Sequence, residues 1–206
     1  MMFPFDIRKM IKLMSPWCPG RIGWRTLINQ AYRLLIIFFL SVYSSPTVDA
    51  QSNQVQEYNV KAAFLFNFAN FIEWPDRAFP SKEASFVVGV LGDNPFGNAL
   101  NALRAKNIQG RKVEIRNYSK AEDILGCQIL FISGSGQGNL NPNMKSLKGI
   151  PILTVSDQDG FCQQGGMINL IPVGNRIGFE VNEYAARQAG IKISSQLLKL
   201  ARKIVE

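Results

Sequence analysis

Two short apolar runs constrain the fold of this chain more than any other feature of its sequence. SFVVGVLGD (Ser85–Asp93) and CQILFISG (Cys127–Gly134) are bounded by turn residues and lack the regular apolar–polar alternation of a half-exposed strand. Such runs are typical of strands buried on both faces, as in parallel sheets that carry helices on either side. We therefore predict a largely parallel sheet at the centre of the domain.

The remaining strand-like segments extend this sheet. KVEIRNY alternates and predicts an edge strand, PILTVSD predicts a further strand, and MINLIP and RIGFEVN flank a hairpin turn at Val173-Gly174-Asn175. Strands and helices alternate along the chain. We predict an α/β three-layer sandwich with a mixed, mainly parallel sheet and a C-terminal antiparallel hairpin.

Helices are predicted between and after these strands. The longest one covers the apolar segment that starts at Asn53 and ends before Pro75. Asn94 is a candidate N-cap for a helix that reaches about Arg104, and Ser119-x-x-Glu122 has the pattern of a capping box. Further helices are predicted near Met144–Lys148, over Asn182–Gly190 and from Ile193 to Val205, the last with an apolar stripe at Ile193, Leu197, Leu200 and Ile204.

The first 50 residues have the organisation of a secretory signal peptide. AYRLLIIFFLSVYSS (Ala31–Ser45) contains a core of about ten apolar residues, follows a basic stretch and precedes small residues of the kind that signal peptidase reads. We predict cleavage near Ala50, a periplasmic location in a double-envelope bacterium, and a single domain over residues 51–206. An uncleaved signal anchor is the alternative.

Charge and residue types argue against several functional classes. The net charge is +8, half of it within the first 50 residues, and no basic run exceeds two residues, which is unlike a nucleic-acid footprint. The chain has no histidine, and so lacks the commonest general base, the commonest zinc ligand and every Ser-His or Cys-His pair. We predict that the protein is not an enzyme and needs no cofactor or metal.

Polar residues that follow two of the buried strands could form a ligand loop. Asp93, Asn94, Ser133 and Ser135 come after predicted parallel strands, whose carboxyl ends are where open α/β sheets bind ligands. GVLGDNPFG and SGSGQG match neither a dinucleotide fingerprint nor a Walker loop. Plain turns are the alternative interpretation.

The acidic residues near the end of the chain could suggest a carboxylate hydrolase, the least favoured hypothesis. Asp157, Asp159, Glu180 and Glu183 could form a carboxylate pair or hold a metal ion. Asp157 and Asp159 suit a turn after a strand, however, and Glu183 suits the first turn of a helix. No spacing matches a calcium loop. A structural role is therefore the preferred interpretation.

The two cysteines after the signal segment are not expected to pair. Cys127 begins one predicted strand and Cys162 follows the end of the next, so parallel strands would hold them about 20 Å apart. A disulfide needs Cα atoms within about 7 Å. GFCQQGGMINLIP then reads as a structural turn in which Gly165 and Gly166 supply positive φ.

The segments VKAAFLFNFANFIEWP, VGVLGDNPFG, GCQILFIS, LTVSDQDGFCQQGGMINL and RIGFEVN together resemble the YfiR/HmsC-like family over Tyr58–Val205. The resemblance implies a periplasmic repressor that acts on the sensor domain of an inner-membrane diguanylate cyclase and so lowers cyclic-di-GMP and biofilm formation. It also implies a homodimer, and an outer-membrane lipoprotein that can sequester the repressor. A sensor-kinase periplasmic domain is a second candidate partner.

The chain departs from this family in its cysteines. Some members carry four cysteines in two bridges; Cys127 and Cys162 match one position of each, and Asn169 stands where the bridge from Cys162 would land. The two thiols are thus predicted to be remnants of a redox-sensitive disulfide pattern. Phe79 and Phe96 are candidate partner contacts, with a place in the core as the preferred alternative for both. The alternative function is a periplasmic small-ligand binding module that feeds a membrane sensor.

Overall fold

The computed structural model describes residues 48–134 and 140–205, with side chains described for 53–134 and 144–205. The predicted signal peptide up to Thr47 and the candidate ligand residue Ser135 lie outside the described residues.

Ten strands and four α-helices make up the described part of the chain. The helices are α1 (Val48–Ala69), α2 (Leu140–Leu147), α3 (Glu183–Gln188) and α4 (Ser195–Leu200). The strands are β1 (Ile72–Glu73), β2 (Phe86–Leu91), β3 (Asn107–Ile108), β4 (Arg111–Tyr118), β5 (Ile129–Ile132), β6 (Leu153–Ser156), β7 (Ile168–Val173), β8 (Arg176–Asn182), β9 (Lys192–Ile193) and β10 (Lys203–Val205).

Eight of the strands form one mixed sheet in the order β10-β8-β7-β6-β5-β2-β4-β3. The pairs from β4 through β2, β5 and β6 to β7 are parallel, as is β10 with β8, whereas β7–β8 and β3–β4 are antiparallel. This confirms the predicted mixed, mainly parallel sheet and the hairpin around Gly174-Asn175.

The sheet is covered on both faces, which confirms the three-layer arrangement. Alternate residues of β2 enter different cores: Phe86, Val88 and Val90 pack on the side of α1, and Val87 and Leu91 pack on the side of α2. All six positions of β2 are buried, as the continuous apolar run predicts. At Gly89 a Cβ would lie 2.7 Å from the Tyr118 ring, so only glycine fits at this point of the strand.

The predicted end of the first helix is wrong. α1 ends at Ala69, and Ile72–Glu73 forms β1, which pairs with β9. Gln109 Nε2 donates to the carbonyl oxygens of Ala69 and Ile72 at 3.0 and 2.9 Å. A side chain 40 residues away along the sequence therefore completes the helix end, which no local pattern reveals.

Two shorter helix predictions also need correction. The segment after Asn94 is a turn followed by a 3-10 helix over Ala99–Leu103, and Asn94 Oδ1 accepts a hydrogen bond from the backbone N–H of Phe96. The Ser119–Glu122 capping box does not form, because the 3-10 helix over Ala121–Asp123 has Lys120 at its N-cap and no side-chain cap.

The last predicted helix is shorter than expected. Ser194 caps α4 by accepting from the backbone N–H of Leu197 at 3.3 Å, and α4 ends at Leu200. Lys203–Val205 then forms β10, parallel to β8. Only Leu197 of the predicted stripe is buried, whereas Leu200 is 64% and Ile204 42% exposed.

The turn before β7 contains the predicted glycine pair with two different roles. Gly165 has φ of 95°, as expected, but Gly166 has no positive φ. A Cβ at Gly166 would instead overlap the ring of Phe161, which is fully buried. Gly166 is therefore required for close packing rather than for its backbone angle.

Candidate functional site

A cleft lies at the carboxyl edge of the parallel strands. The ends of β2, β5 and β6 are adjacent in register through Leu91, Ile132 and Ser156. Ser133 and Asp157 follow two of these ends, and together with α1 and the β7–β8 hairpin they line a cleft of about 550 Å³. This edge is where open α/β sheets bind ligands.

A buried lysine organises one wall of this cleft. Lys61 on α1 is 4% exposed, and its Nζ lies 2.6 Å from Asp157 Oδ2 and 2.5 Å from Glu57 Oε1. The Tyr58 hydroxyl donates to the same Asp157 oxygen at 3.0 Å. These contacts tie the helix to the end of β6, because Asp157 follows that strand directly.

The protonation states of this cluster follow from its surroundings. Burial disfavours the charged form of Lys61, but its hydrogen bonds to Asp157 and Glu57 outweigh burial and raise the pKa of the ammonium group. Burial, reinforced by the charge of Asp157, raises the pKa of Tyr58. Lys61 is thus charged and Tyr58 protonated at neutral pH, so both act as donors to Asp157 rather than as catalytic bases.

The structure brings only part of the predicted ligand loop to this cleft. Ser133 is 5% exposed and lines it, whereas Asp93 and Asn94 are exposed at the neighbouring strand end. Asn94 Nδ2 donates to Asn117 Oδ1 at 3.2 Å, so the Asn94 side chain ties its turn to β4. Sequence reasoning missed Lys61, although a lone lysine ahead of the apolar run AAFLFNFA was a usable signal.

Both cysteines described by the structure are free and buried. Burial raises the pKa of each thiol, Cys127 and Cys162, to about 12. Cys127 precedes β5 and Cys162 follows β6, and these strands are parallel, so the thiols sit at opposite ends of the sheet. Thiols with such a high pKa are poor nucleophiles at neutral pH.

Asn169, the expected landing point of a bridge from Cys162, lies on β7 in register with Ser156 and Glu180. The Cys162 sulfur donates to the carbonyl oxygen of Met167, two residues before Asn169, at 3.8 Å. Asn169 is 1% exposed, and its Oδ1 is a buried acceptor without a hydrogen-bond partner in the described part of the chain. This side chain therefore occupies a site that a polar group does not suit.

Apolar side chains are exposed where the sheet ends at β10. Leu200 and Ile204 are 64% and 42% exposed, and β10 is the terminal strand, paired only with β8 within residues 48–134 and 140–205. We call Leu200, Ile204 and the outer edge of β10 the C-terminal edge. Lys199, Arg202 and Lys203 make its surroundings basic.

The two aromatic residues guessed as partner contacts are not exposed. Phe96 is 4% exposed and packs edge-on against Phe131, with ring centroids 4.7 Å apart. Phe79 is half-buried beneath the Arg111 guanidinium, 4.0 Å from the ring centroid. Phe96 belongs to the core, and Phe79 packs against its edge.

The described residues contain neither a metal-binding cluster nor a helix that could cross a membrane. In those ranges no three His, Cys, Asp or Glu side chains converge where they could hold a metal ion. None of the four helices there combines the length and the apolar character needed to cross a bilayer.

The chain matches one known protein family. The family described as YfiR/HmsC-like matches residues 58–202, well over half of the 206 residues. The matched range includes Tyr58, Lys61 and Asp157 of the cleft, together with Cys127, Cys162 and the β7–β8 hairpin, and it ends one residue before β10.

Proposed function

Because this chain belongs to the YfiR/HmsC-like family, we propose that it is a periplasmic repressor of an inner-membrane diguanylate cyclase. The family is a regulatory one, which supports a regulatory role for this chain. In the proposal the protein binds the periplasmic sensor domain of the cyclase and lowers cyclic-di-GMP and biofilm formation. The repressor binds the cyclase as a homodimer. An outer-membrane lipoprotein relieves the repression by sequestering the repressor.

The family match over residues 58–202 carries this proposal. The chemistry of the described side chains is consistent with it, because the groups that could react are engaged in structure. Lys61 is paired with two carboxylates, and Cys127 and Cys162 are buried thiols. We therefore propose that the protein acts by contact with other proteins and not by catalysis.

The C-terminal edge is the contact surface that we propose for the membrane partner. Exposed apolar side chains around an unpaired strand edge are typical of sites that accept a strand from another chain. Leu200 and Ile204 would contact apolar side chains of the added strand. Since Lys199, Arg202 and Lys203 surround them, the partner segment should be extended, apolar and acidic.

A complementation experiment tests this function. Deleting the gene should raise cyclic-di-GMP, and the wild-type gene should lower it again. Leu200→Asp should fail to lower it, because it places a carboxylate in the apolar contact. Leu125→Asp is the matched control, since Leu125 is 76% exposed and lies away from β10.

Two outcomes separate the parts of the proposal. Unchanged cyclic-di-GMP in the deletion strain would refute repression of a cyclase. Restored repression by Leu200→Asp would refute only the C-terminal edge as the contact. Export is tested separately, because alkaline phosphatase fused after Ala50 should be active only if residues 1–50 direct secretion.

A further inference from the structure

A second pocket lies on the α2 side of the sheet, at the opposite edge from the carboxyl-edge cleft. α2 contributes Met144 and Leu147, the start of β6 contributes Thr154, and Met167 precedes β7. Ala185 on α3 closes the other side. We call this space, of about 270 Å³, the amino-edge pocket.

The polar groups at the base of this pocket are already bonded within the protein. Thr154 Oγ1 accepts from the backbone N–H of Met167 at 3.1 Å. Asn182 Nδ2 donates to the Cys162 carbonyl oxygen, and its Oδ1 accepts from the backbone N–H of Ala185, both at 2.8 Å. An occupant therefore meets mainly apolar surface there.

Methionine and leucine side chains provide that apolar surface. Leu147 and Met167 are 4% and 5% exposed, and Met144 is half-buried beside them. Methionine side chains adapt to differently shaped apolar groups because they are unbranched and polarizable. Tyr184, 59% exposed, adds an aromatic ring at the rim.

The charge at the rim has a single sign. Lys145 and Lys148 line the pocket and are exposed, and none of the described residues that line it is acidic. Within the described part of the chain neither ammonium group takes part in a salt bridge. An apolar base with two uncompensated cations at its mouth suits an amphiphile whose head group is negative.

We propose that the amino-edge pocket binds a small amphiphilic anion, a short apolar chain or ring that carries one carboxylate or similar group. The apolar part lies against Met144, Leu147 and Met167, and the anionic group lies between Lys145 and Lys148. The volume is near the lower end of the range of about 300–1,000 Å³ for small-molecule pockets, which favours a short molecule over a protein segment. This site is independent of the proposed contact at the C-terminal edge.

Calorimetric titration of the purified protein with octanoate, octylamine and 1-octanol tests the head-group charge. Octanoate should bind at least about tenfold more tightly than octylamine, since one charge-assisted contact exceeds about 1.4 kcal/mol, which is a factor of ten. Equal binding of the two, or no binding of octanoate at millimolar concentration, would overturn the proposal. Binding of an apolar acidic peptide without binding of octanoate would overturn it too.

Two sets of variants test whether octanoate binds in the amino-edge pocket. The double variant Lys145→Gln/Lys148→Gln should bind octanoate about tenfold more weakly and bind 1-octanol with unchanged affinity. The control Lys112→Gln/Lys120→Gln makes the same charge change on exposed lysines elsewhere and should not alter octanoate binding. Ala185→Leu should fill the pocket and prevent the binding of both octanoate and 1-octanol. If neither the Lys145/Lys148 pair nor a correctly folded Ala185→Leu alters octanoate binding, the pocket is the wrong site.

Discussion

The Nζ atom of Lys61 lies 2.6 Å from Oδ2 of Asp157, in an ion pair between residues 96 positions apart in sequence. The side chain of Lys61 is 5% exposed and that of Asp157 15% exposed, so water screens the pair little. It joins α1 to the carboxyl end of β6, on the wall of the cleft. Removing one partner leaves the other charge poorly solvated.

Lys61→Met should therefore lower the free energy of unfolding by about 2–3 kcal/mol, somewhat below the cost of breaking a fully buried pair. Urea denaturation followed by circular dichroism measures this. Adding Asp157→Asn to Lys61→Met should recover part of the loss, since the largely buried carboxylate is then gone and only Glu57, whose side chain is 46% exposed, is left without its cation. A single variant within about 0.5 kcal/mol of wild type would show that the pair does not hold the helix in place.

Stability should fall at alkaline pH. Burial raises the pKa of the Cys127 and Cys162 thiols from 9.0 to about 12, and the pKa values of Tyr58 and Lys61 are also raised. The folded state then binds more protons than the unfolded state above about pH 9, so the unfolding free energy decreases as pH rises towards 12.

Denaturation curves between pH 9 and 10.5 check this dependence. Cys127→Ala with Cys162→Ala removes two of the groups responsible and should reduce the slope of stability against pH. A slope identical to that of wild type would mean that the thiols ionise as readily in the folded state as in the unfolded one.

The native thiols should react slowly with a disulfide reagent such as dithionitrobenzoate. A pKa of about 12 leaves little thiolate at pH 8, and burial blocks access to the sulfur atoms. We expect the thiols of the native protein to react about a thousandfold more slowly than those of the urea-unfolded protein. Leu125→Cys introduces a thiol at a 76% exposed position and should react at once. Equally rapid reaction of Cys127 and Cys162 would contradict their buried positions.

Asn169→Cys should form a disulfide with Cys162. The Cys162 sulfur donates to the carbonyl oxygen of Met167, two residues before Asn169, and the buried Asn169 Oδ1 has no hydrogen-bond partner among the described residues. The short loop closed by this bond should stabilise the oxidised protein by about 2 kcal/mol relative to the reduced one. Thiol counting and thermal unfolding with and without reductant measure this. Asn169→Ser is the control, and a free Cys162 thiol in the oxidised Asn169→Cys variant would refute the geometry.

Local sequence was enough to predict the centre of the sheet. Phe86–Leu91 is buried on both faces because a continuous apolar run has no polar side to expose, and Gly174-Asn175 directs a tight hairpin turn. The same reasoning placed Ser133 at the carboxyl edge, since it directly follows β5. In each case the determining residues are neighbours in the chain.

The features decided by the tertiary structure depend on residues far apart in sequence. α1 stops at Ala69 because Gln109 binds its last carbonyl group, and Lys203–Val205 becomes a strand because β8 offers it a free edge. Lys61 is held beside the cleft by Asp157, which no pattern within α1 indicates. Hydrogen bonds and ion pairs between distant residues form only after the chain has brought them together, so local propensity could not specify these endings and pairings.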